Sequence, residues 1–398
     1  MESSSDRPTR ILVECVALLP SVRLGVLAPL KPLAEKGLCE VQYKETAKIV
    51  AKDIEWCDIL VCVRGFWIRS LRLVQAAKKF GRLVAYFLDD DLLGIPKEVP
   101  SGEYLKTRPV QKIMKEIIGL SDYVWFVNER LAEKMKHLHS GKTILSKVPT
   151  GLWSEAPETT DECQQTRILY AGSTDHKGIL CEYILPALEK INARQEGIIA
   201  VDIIGPQIEK KYTFVRNLKY FDNYECYKKH ISAASYQIGL APIFIDEFYK
   251  CKYYNKFIEY SSFGIVGIYT NSEPYTQIVQ DEINGYLCEN SVDDWTNAIE
   301  KVLSHDETRL ACAQKAQEKL VAEFSPAAVT AKLQDDFPEL TSFVAPETKS
   351  LQIVGDTGVF RHYLFICRII WAQEGIRAVP IIISKAIKLF FRKLRGEL

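Results

Sequence analysis

The sequence predicts an α/β protein with two doubly wound domains that face each other across a cleft. Three observations predict this class. Short β-rich runs alternate with helical stretches, which is typical of parallel sheets covered by helices on both faces. The alternation stops once, in an acidic and polar stretch, and then begins again. The 398 residues, 47% apolar and 26% charged, suffice for two medium-sized folded domains.

The first series of strands lies within residues 1–152, which we interpret as the N-terminal domain. Helical patterns over 68–80 and 108–119 lie between its strands. An apolar run near the N-terminus imitates a signal peptide, but Glu14 interrupts it, so we expect a buried first strand. The predicted strands are Ile11–Leu18, Asp58–Val63, Leu83–Leu88, Tyr123–Val127 and Thr143–Val148.

The second series begins after the acidic stretch at residues 153–166, which we interpret as a linker. Residues 167–337 form the predicted second domain, 338–358 a spacer and 359–398 a basic tail. The predicted strands are Arg167–Ala171, Ala200–Ile204, Gln237–Ala241, Ile265–Tyr269 and Tyr286–Cys288, and the predicted helices are 180–194, 253–262, 292–303 and 307–323.

The charge is balanced overall and uneven along the chain. The 51 basic residues equal the 51 acidic ones, which argues against nucleic acid as a partner. The tail, however, holds eight basic and two acidic residues. Eleven scattered cysteines without a C-x-x-C pair are typical of buried thiols in a reducing compartment. Because no uninterrupted apolar run reaches about 18 residues, we expect a cytoplasmic protein without a spanning helix.

The glycines exclude two common nucleotide-binding loops. No two of the 21 glycines lie two residues apart, so the G-x-G-x-x-G motif of dinucleotide-binding enzymes cannot occur. No two lie five apart, so the P-loop of nucleotide hydrolases is absent as well. A phosphorylated ligand would therefore need a different seat.

A loop at the start of the second domain offers such a seat. Gly172 and Ser173 follow its first strand, and Lys177 stands just before the next helix. Free N–H groups and the positive end of the helix dipole favour an anion there, and Lys177 would add a charge beside a leaving diphosphate. The alternative is that Thr174 or Asp175 caps the helix and that Lys177 is solvated.

Lys256 and Glu259 lie three residues apart in a helical pattern, on one face of the helix. A carboxylate can accept hydrogen bonds from two ribose hydroxyls, and an ammonium group can meet a phosphate. The alternative is a surface ion pair of little energetic weight.

Three consecutive carboxylates, Asp89, Asp90 and Asp91, follow the strand LVAYFL at its carboxyl end, where α/β sheets place ligands. Adjacent carboxylates repel one another, so we expect at least one to have a raised pKa or a basic partner, with Arg23 and Arg64 as candidates. The same D-x-D pattern is suited to a divalent metal. A solvated turn with Asp91 as a helix cap is the structural alternative.

Several segments together resemble the donor-binding half of retaining GT-B glycosyltransferases of family 4, the group 1 type. These segments are ILYAGSTDHKG, YQIGLAPI, KFIEYSSFGIVGIYT and EPYTQIVQDEINGYL before DDWTNAIEKVL. The first half is similar, more weakly, to the acceptor domain of bacterial surface-polysaccharide glycosyltransferases, through DYVWFVNERLAEKM, VPTGLW and YFLDDDLLGIP. The resemblance implies two Rossmann-like domains and a hexosyltransferase that moves a sugar, with retention, from a nucleotide-diphospho-sugar to a glycan or lipid-linked oligosaccharide. It implies no cofactor besides the sugar nucleotide, and no metal.

The resemblance also assigns roles to residues. Glu259 would hold the donor ribose, with Lys256 beside it, while Gly172, Ser173 and Lys177 would surround the diphosphate. In the first domain, Asp90 and Asp91 would act in catalysis by orienting the acceptor hydroxyl or by stabilising positive charge on the sugar, and Lys177 would assist the leaving group. Arg23 and Asp89 would lie on the acceptor side.

Two positions depart from the family pattern. Cys251 stands where the first glutamate of an E-x7-E pattern is expected, and Ser173 stands where an arginine is usual. We expect Asp246 or Glu247 to substitute for the missing acid. Two alternatives remain open: a metal-dependent GT-A-like transferase that uses Asp89 to Asp91, and a catalytically silent GT-B subunit that binds a glycan or a partner protein.

The tail ends in a pattern typical of a cationic amphipathic helix. Such a helix suits an anionic membrane surface, where each basic residue contributes about 1 kcal/mol. We therefore expect a peripheral protein on the cytoplasmic, inner face of the membrane; docking of the apolar stripe on the protein body is the alternative. The basic stripe consists of Lys385, Lys388, Arg392 and Arg395, opposite Ile383, Ile387, Phe390 and Leu394.

Overall fold

The computed structural model describes residues 7–99, 102–150, 165–221, 223–347 and 358–394. The chain divides into two compact units. The first unit is Met1–Val148 together with Val329–Leu398, and the second unit is Pro149–Ala328. Each contains one six-stranded sheet in which neighbouring strands are parallel, flanked by helices.

The strands are short, and most are buried, because parallel sheets are covered on both faces. The strands of the first unit are β1 (Thr9–Cys15), β2 (Cys39–Glu45), β3 (Ile59–Val63), β4 (Leu83–Leu88), β5 (Tyr123–Phe126) and β6 (Lys142–Leu145). Those of the second unit are β7 (Thr166–Ala171), β8 (Ile199–Ile204), β9 (Val215–Leu218), β10 (Ile238–Ala241), β11 (Val266–Thr270) and β12 (Tyr286–Cys288).

The helices connect the strands and close the chain. They are α1 (Pro20–Val22), α2 (Ala28–Glu35), α3 (Ala51–Trp56), α4 (Ile68–Lys79), α5 (Gly102–Leu105), α6 (Arg108–Leu120), α7 (Glu129–Met135), α8 (Lys177–Ile179), α9 (Leu185–Arg194), α10 (Tyr224–Ala234), α11 (Glu247–Lys250), α12 (Asn255–Ser262), α13 (Val292–Leu303), α14 (Asp306–Phe324), α15 (Pro326–Asp336), α16 (Glu339–Ser342), α17 (Gly358–Glu374) and α18 (Ala378–Leu394). Single 3₁₀ or π turns occur at Arg23–Leu27, Thr46–Lys48, Lys136–Leu138, Thr174–His176, Leu180–Ile184, Tyr275–Gln277 and Gly375–Arg377.

The strand order of each sheet defines where a ligand would bind. The first sheet has the order β2-β1-β3-β4-β5-β6, and the second has the order β12-β11-β10-β7-β8-β9. Connections leave in opposite directions from β1 and β3 in the first sheet, and from β7 and β10 in the second. Doubly wound sheets bind ligands at such switch points, outside the carboxyl ends of the strands. A ligand is therefore expected at either switch point.

The predicted fold class is confirmed: each unit is a doubly wound parallel sheet. Each predicted strand is present with its bounds shifted by at most three residues, and β1 is the buried strand expected in place of a signal peptide. The sequence missed β2 and β9, which are both edge strands, and the helix α10. Most of the predicted linker and the second half of the predicted spacer lie outside the described residues.

The predicted end of the second domain at residue 337 differs from the division at Ala328, because the chain returns to the first unit before that point. The Thr330 hydroxyl donates to the Pro29 carbonyl at 2.8 Å. The Phe337 ring stacks on Tyr123 of β5 at a centroid distance of 3.9 Å. These contacts tie α15 and the residue after it to the first sheet.

The C-terminal helices form a pair with different surroundings. Helix α17 packs against α4 and α6, and its side chains Phe365, Ile369 and Ile370 are buried. Helix α18 instead exposes apolar side chains, among them Ile383 and Ile387, which are 53% and 50% exposed. The side chains beyond residue 387, including those predicted to complete the two stripes, are outside the described set. Within the described ranges, no helix has both the length and the hydropathy that a bilayer crossing requires.

Candidate active site

A cavity of about 210 Å³ lies at the switch point of the second sheet. It is built from the residues that follow β7 and β10, the loop before α12 and the start of that helix. Its wall consists of Tyr170, Ala171, Gly172, Ser173, His176, Leu240, Ala241, Pro242, Ile243, Lys252, Tyr253, Asn255, Lys256, Pro274 and Tyr275.

A wider groove of about 400 Å³ lies at the opposite, amino end of the same sheet. There, the Arg216 guanidinium donates to both oxygens of Asp202 at 2.8 and 2.6 Å, and Arg167 lies 3.8 Å from the same carboxylate. These charged groups are already paired with one another, and the groove does not lie at a switch point. The smaller cavity is therefore the candidate site.

The loop after β7 places Gly172 and Ser173 in the cavity wall. The Gly172 carbonyl accepts a hydrogen bond from the Tyr220 hydroxyl at 2.7 Å. The close approach requires Gly205, since its φ of 111° is unfavourable for a residue with a side chain and a Cβ there would collide with this carbonyl. The hydrogen bond to the Gly172 carbonyl thus holds the loop that lines the cavity.

Lys177, which the sequence predicts beside the diphosphate, is not among the described residues that line this cavity. It lies in α8, where its Nζ is 3.5 Å from Glu209 Oε1, and its side chain is 40% exposed. The preceding residue, His176, occupies the wall instead, with its ring 5.4 Å from that of Tyr249. His176 ends the 3₁₀ turn and Lys177 begins α8, and successive side chains of a helical turn leave the backbone in different directions.

The cations of the wall are Lys252 and Lys256. The Lys252 ammonium lies over the ring of Phe248 at 4.8 Å, an arrangement that restrains a flexible chain. Lys256 was predicted from the sequence, whereas Lys252 was not. No carboxylate belongs to the described residues that line the cavity, so an anionic ligand would meet a positive surface.

Glu259 lies on α12, one turn beyond Lys256. Its Oε1 accepts two hydrogen bonds, from Lys256 Nζ at 2.7 Å and from the Tyr227 hydroxyl at 2.5 Å. The Glu259 side chain is 18% exposed, so it is largely buried and still accessible to solvent. Burial, assisted by the charge of Glu259, raises the pKa of Tyr224 to about 12. The sequence missed Tyr227 because it missed α10.

The acidic neighbours expected to replace the first family glutamate lie outside the described wall of the cavity. Cys251 is fully buried. Asp246 caps α11 by accepting hydrogen bonds from the N–H groups of Phe248 and Tyr249 at 2.8 and 2.9 Å. Glu247 pairs with Lys250 at 3.0 Å. Their local backbone and ion-pair roles explain why neither belongs to the cavity wall.

The switch point of the first sheet holds a charge cluster. Arg64 follows β3 with a φ of 50°, and its Nε and Nη2 lie 2.5 Å from Asp89 Oδ1 and Asp90 Oδ2. Burial raises the pKa of the Asp89 carboxyl, opposed by Arg64 and assisted by the charge of Asp90. The Ser21 hydroxyl also opposes this rise in the pKa of Asp89. The expected basic partner is therefore Arg64.

Asp91 has different surroundings from Asp89 and Asp90. It is buried, with Oδ1 accepting from the Gly94 N–H at 2.8 Å and Oδ2 lying 2.5 Å from Lys134 Nζ. One oxygen thus closes a turn and the other pairs with a lysine of α7, which does not fit the predicted catalytic role. Arg23 is exposed in the segment after β1, and none of the described residues forms an ion pair with it.

The two outer carboxylates of the D-x-D pattern have different partners, Arg64 for Asp89 and Lys134 for Asp91. Within the described part of the chain, no cluster of three or more His, Cys, Asp or Glu side chains is arranged to hold a metal ion. The fold itself, with two doubly wound sheets, also differs from the GT-A-like alternative.

Comparison with known proteins adds independent findings. Residues 256–319 match the family model described as glycosyl transferases group 1. No curated protein matches the sequence at a significant level. Sucrose-phosphate synthase from Thermosynechococcus elongatus is similar in structure, with a TM-score of 0.60 and 12% identity over 84% of this chain and 99% of that one.

Two further solved structures show the same likeness. HepE from Anabaena, in complex with UDP and glucose, has a TM-score of 0.58 and 12% identity over 83% of this chain and 99% of HepE. The lipopolysaccharide outer core galactosyltransferase WaaB, in its apo form, has a TM-score of 0.53 and 13% identity over 83% of this chain and 99% of WaaB. The chain therefore has the GT-B fold of glycosyltransferases, and its resemblance to the group 1 family is confirmed.

Proposed function

We propose that this protein is a hexosyltransferase that moves a sugar, with retention, from a nucleotide-diphospho-sugar to a glycan or lipid-linked oligosaccharide. One observation carries the proposal: a cationic cavity at the switch point of the second sheet lies next to the Glu259 carboxylate. The complex of HepE with UDP and glucose supports a nucleotide-sugar donor. The name of WaaB supports an acceptor in polysaccharide or glycolipid synthesis.

The proposed donor lies with its diphosphate against Gly172 and Ser173. Lys252 and Lys256 supply the positive charge that an arginine at position 173 supplies in the family pattern. Glu259 binds ribose hydroxyls through Oε2, since Oε1 already accepts two hydrogen bonds. The two lysines neutralise the diphosphate as it leaves, which is electrostatic stabilisation of the departing group. No metal or other cofactor is part of this proposal.

The proposed acceptor lies by the cluster of the first unit. Asp90 is the most exposed of its carboxylates, with a 31% exposed side chain. We assign it the role of orienting the acceptor hydroxyl or of stabilising positive charge that develops on the sugar. Asp89 and Arg23 remain proposed acceptor-side residues, and Arg64 holds both aspartates in place.

A thermal-shift screen with UDP-, GDP-, dTDP- and ADP-sugars, with and without magnesium, tests the donor proposal. Ligand at 100 times its Kd stabilises a folded protein by about 2.7 kcal/mol, so one nucleotide series should raise the Tm without magnesium. The variant Glu259→Ala should show a smaller shift, because the ribose contact is lost, whereas Glu247→Ala, which removes the carboxylate paired with Lys250, should keep the full shift. The absence of any shift contradicts the proposal.

Two other outcomes favour the alternatives. A shift that requires magnesium contradicts the metal-independent mechanism. A shift without donor hydrolysis or sugar transfer, with several glycan and lipid-linked acceptors tried, favours a catalytically silent binding subunit.

We also propose that α18 attaches the protein to an anionic membrane surface at its cytoplasmic face. The observation in favour is that α17 docks on the first unit while α18 exposes Val379, Ile381, Ile383 and Ile387. Apolar side chains beside clustered basic residues are typical of helices that lie in the membrane interface.

Truncation separates the two helices. Removal of residues 379–398 should release the protein from vesicles containing phosphatidylglycerol and leave the Tm nearly unchanged. Removal of 359–398 should lower the Tm as well, because Phe365, Ile369 and Ile370 leave the core. Unchanged sedimentation of the shorter truncation with these vesicles contradicts membrane attachment through α18.

A further inference from the structure

Helix α10 brings a tyrosine to the donor site from outside the family-like segments. We propose that Tyr227 is a positioning residue, which fixes the Glu259 carboxylate for recognition of the donor ribose. The inference rests on the proposed function and deepens it. It names the group that sets the geometry of the ribose-binding carboxylate.

The hydrogen bonds at Glu259 define one orientation of the carboxylate. Tyr227 and Lys256 donate to the same oxygen, Oε1, at 2.5 and 2.7 Å. No residue in the described ranges donates to Oε2. Two donors on one oxygen restrict rotation of the group about its last bond, while the second oxygen keeps its capacity for a pair of hydroxyls.

The tyrosine is itself held firmly. Its ring lies 6.1 Å from that of Tyr224, with an interplanar angle of 27°, and 5.9 Å from that of Phe221. Burial, assisted by the charge of Glu259, raises the pKa of Tyr227. The hydroxyl therefore keeps its proton and remains a donor at neutral pH.

The lysine belongs to the same arrangement. The Lys256 ammonium lies 6.0 Å from the Tyr227 ring centroid and 5.7 Å from that of Tyr260. Lys256 also belongs to the cavity wall, which Tyr227 does not. Loss of the Tyr227 hydroxyl should therefore affect the ribose contact specifically, while the loop at Gly172 and Ser173 continues to bind the diphosphate.

The test compares ribose with deoxyribose ligands. The wild-type protein should bind one of UDP, GDP or ADP about tenfold or more tightly than its 2′-deoxy or 3′-deoxy form, as expected for a hydrogen bond to a charged group. In Tyr227→Phe, this preference should fall to about threefold or less, with the affinity for the deoxy form unchanged. Isothermal titration calorimetry measures each affinity.

Tyr236→Phe is the matched control. Its hydroxyl also donates to a carboxylate, that of Asp202, but at the opposite end of the sheet. This variant should lose stability and keep the full ribose preference. A full preference in Tyr227→Phe overturns the inference alone, and so does an equal loss of ribose and deoxyribose affinity. Failure of every nucleoside diphosphate to bind the wild-type protein overturns the proposed function and the inference with it.

Discussion

The two switch points of this molecule have the same topology and opposite chemistry. In the second unit, the strand ends enclose a cavity with two lysines and no carboxylate among its described wall residues. In the first unit, Arg64 fills the corresponding place and is paired with Asp89 and Asp90. One edge presents cations to a cavity, and the other pairs its cation with two carboxylates.

This difference separates binding from stability. Removal of one member of a buried ion pair destabilises the folded chain, because the other charge stays buried without a counter-charge. Charges that face a cavity contribute little until a ligand arrives. Substitutions at the first edge should therefore act mainly on the free energy of unfolding, and substitutions at the second edge mainly on ligand affinity.

The largest expected effect is that of Arg64→Ala. The change leaves Asp89 and Asp90 without their cation and should lower the free energy of unfolding by about 3 kcal/mol. Alanine carries the same backbone penalty as arginine at a φ of 50°, so the loss reports the side chain. Urea unfolding followed by circular dichroism measures it. The double variant with Asp89→Asn should recover part of the loss, and a loss below about 1 kcal/mol would show that water already screens the cluster.

Lys256→Met tests the other edge. It removes one cation from the cavity wall and should weaken nucleoside diphosphate binding about tenfold, which corresponds to 1.4 kcal/mol. The free energy of unfolding should change by less than about 1 kcal/mol, because Glu259 keeps the hydrogen bond from the Tyr227 hydroxyl. Calorimetric titration and urea unfolding measure the two quantities. Lys250→Met, which breaks a similar pair on α11, is the control and should bind normally.

Glu14 extends the comparison to pH. This carboxyl on β1 is fully buried, and it accepts hydrogen bonds from Thr46 and Ser70. Burial raises the pKa of Glu14, so the folded state binds its proton more tightly than the unfolded state does. Its contribution to stability is complete below the ordinary glutamate pKa and declines as the pH rises through the raised value.

Glu14→Gln should therefore be more stable than the wild type near pH 8, with a difference that disappears toward pH 4. Urea midpoints measured across this range test the sign. A variant that is less stable at every pH would show that the ionised carboxylate is the form that stabilises the first sheet.

The fold was accessible from the sequence wherever strands are buried on both faces. The apolar run ILVCV of β3 predicts a strand that is covered on both faces, and all five of its residues are buried. The strands β2 and β9 were missed because their sequences, CEVQYKE and VRNL, contain no continuous apolar run and most of their residues are not buried. Helix α10 was missed because its buried face is narrow, with Ile231 and Ala234 as its buried residues.

The candidate site was accessible only in part, for a related reason. Gly172, Ser173 and Lys256 follow from local patterns, because a loop before a helix and a short helical spacing are properties of adjacent residues. Tyr227 lies 32 residues before Glu259, and only tertiary packing brings the two together. The choice between His176 and Lys177 likewise depends on the turn that precedes α8, which neighbouring residues in a sequence do not reveal.

The smallest expected effect concerns Lys177. Its ammonium faces Glu209 at 3.5 Å on an exposed surface, and such pairs contribute little to stability. Lys177→Ala should therefore change nucleoside diphosphate affinity less than about threefold, well below the effect of Lys256→Met, since a factor of three corresponds to about 0.6 kcal/mol. Titration of both variants side by side provides the measurement. A tenfold loss in Lys177→Ala would mean that the lysine leaves Glu209 when the ligand binds. Lys177 would then join the cations of the second switch point only when the ligand is bound. At the first switch point, by contrast, Arg64 is already paired with Asp89 and Asp90 without a ligand.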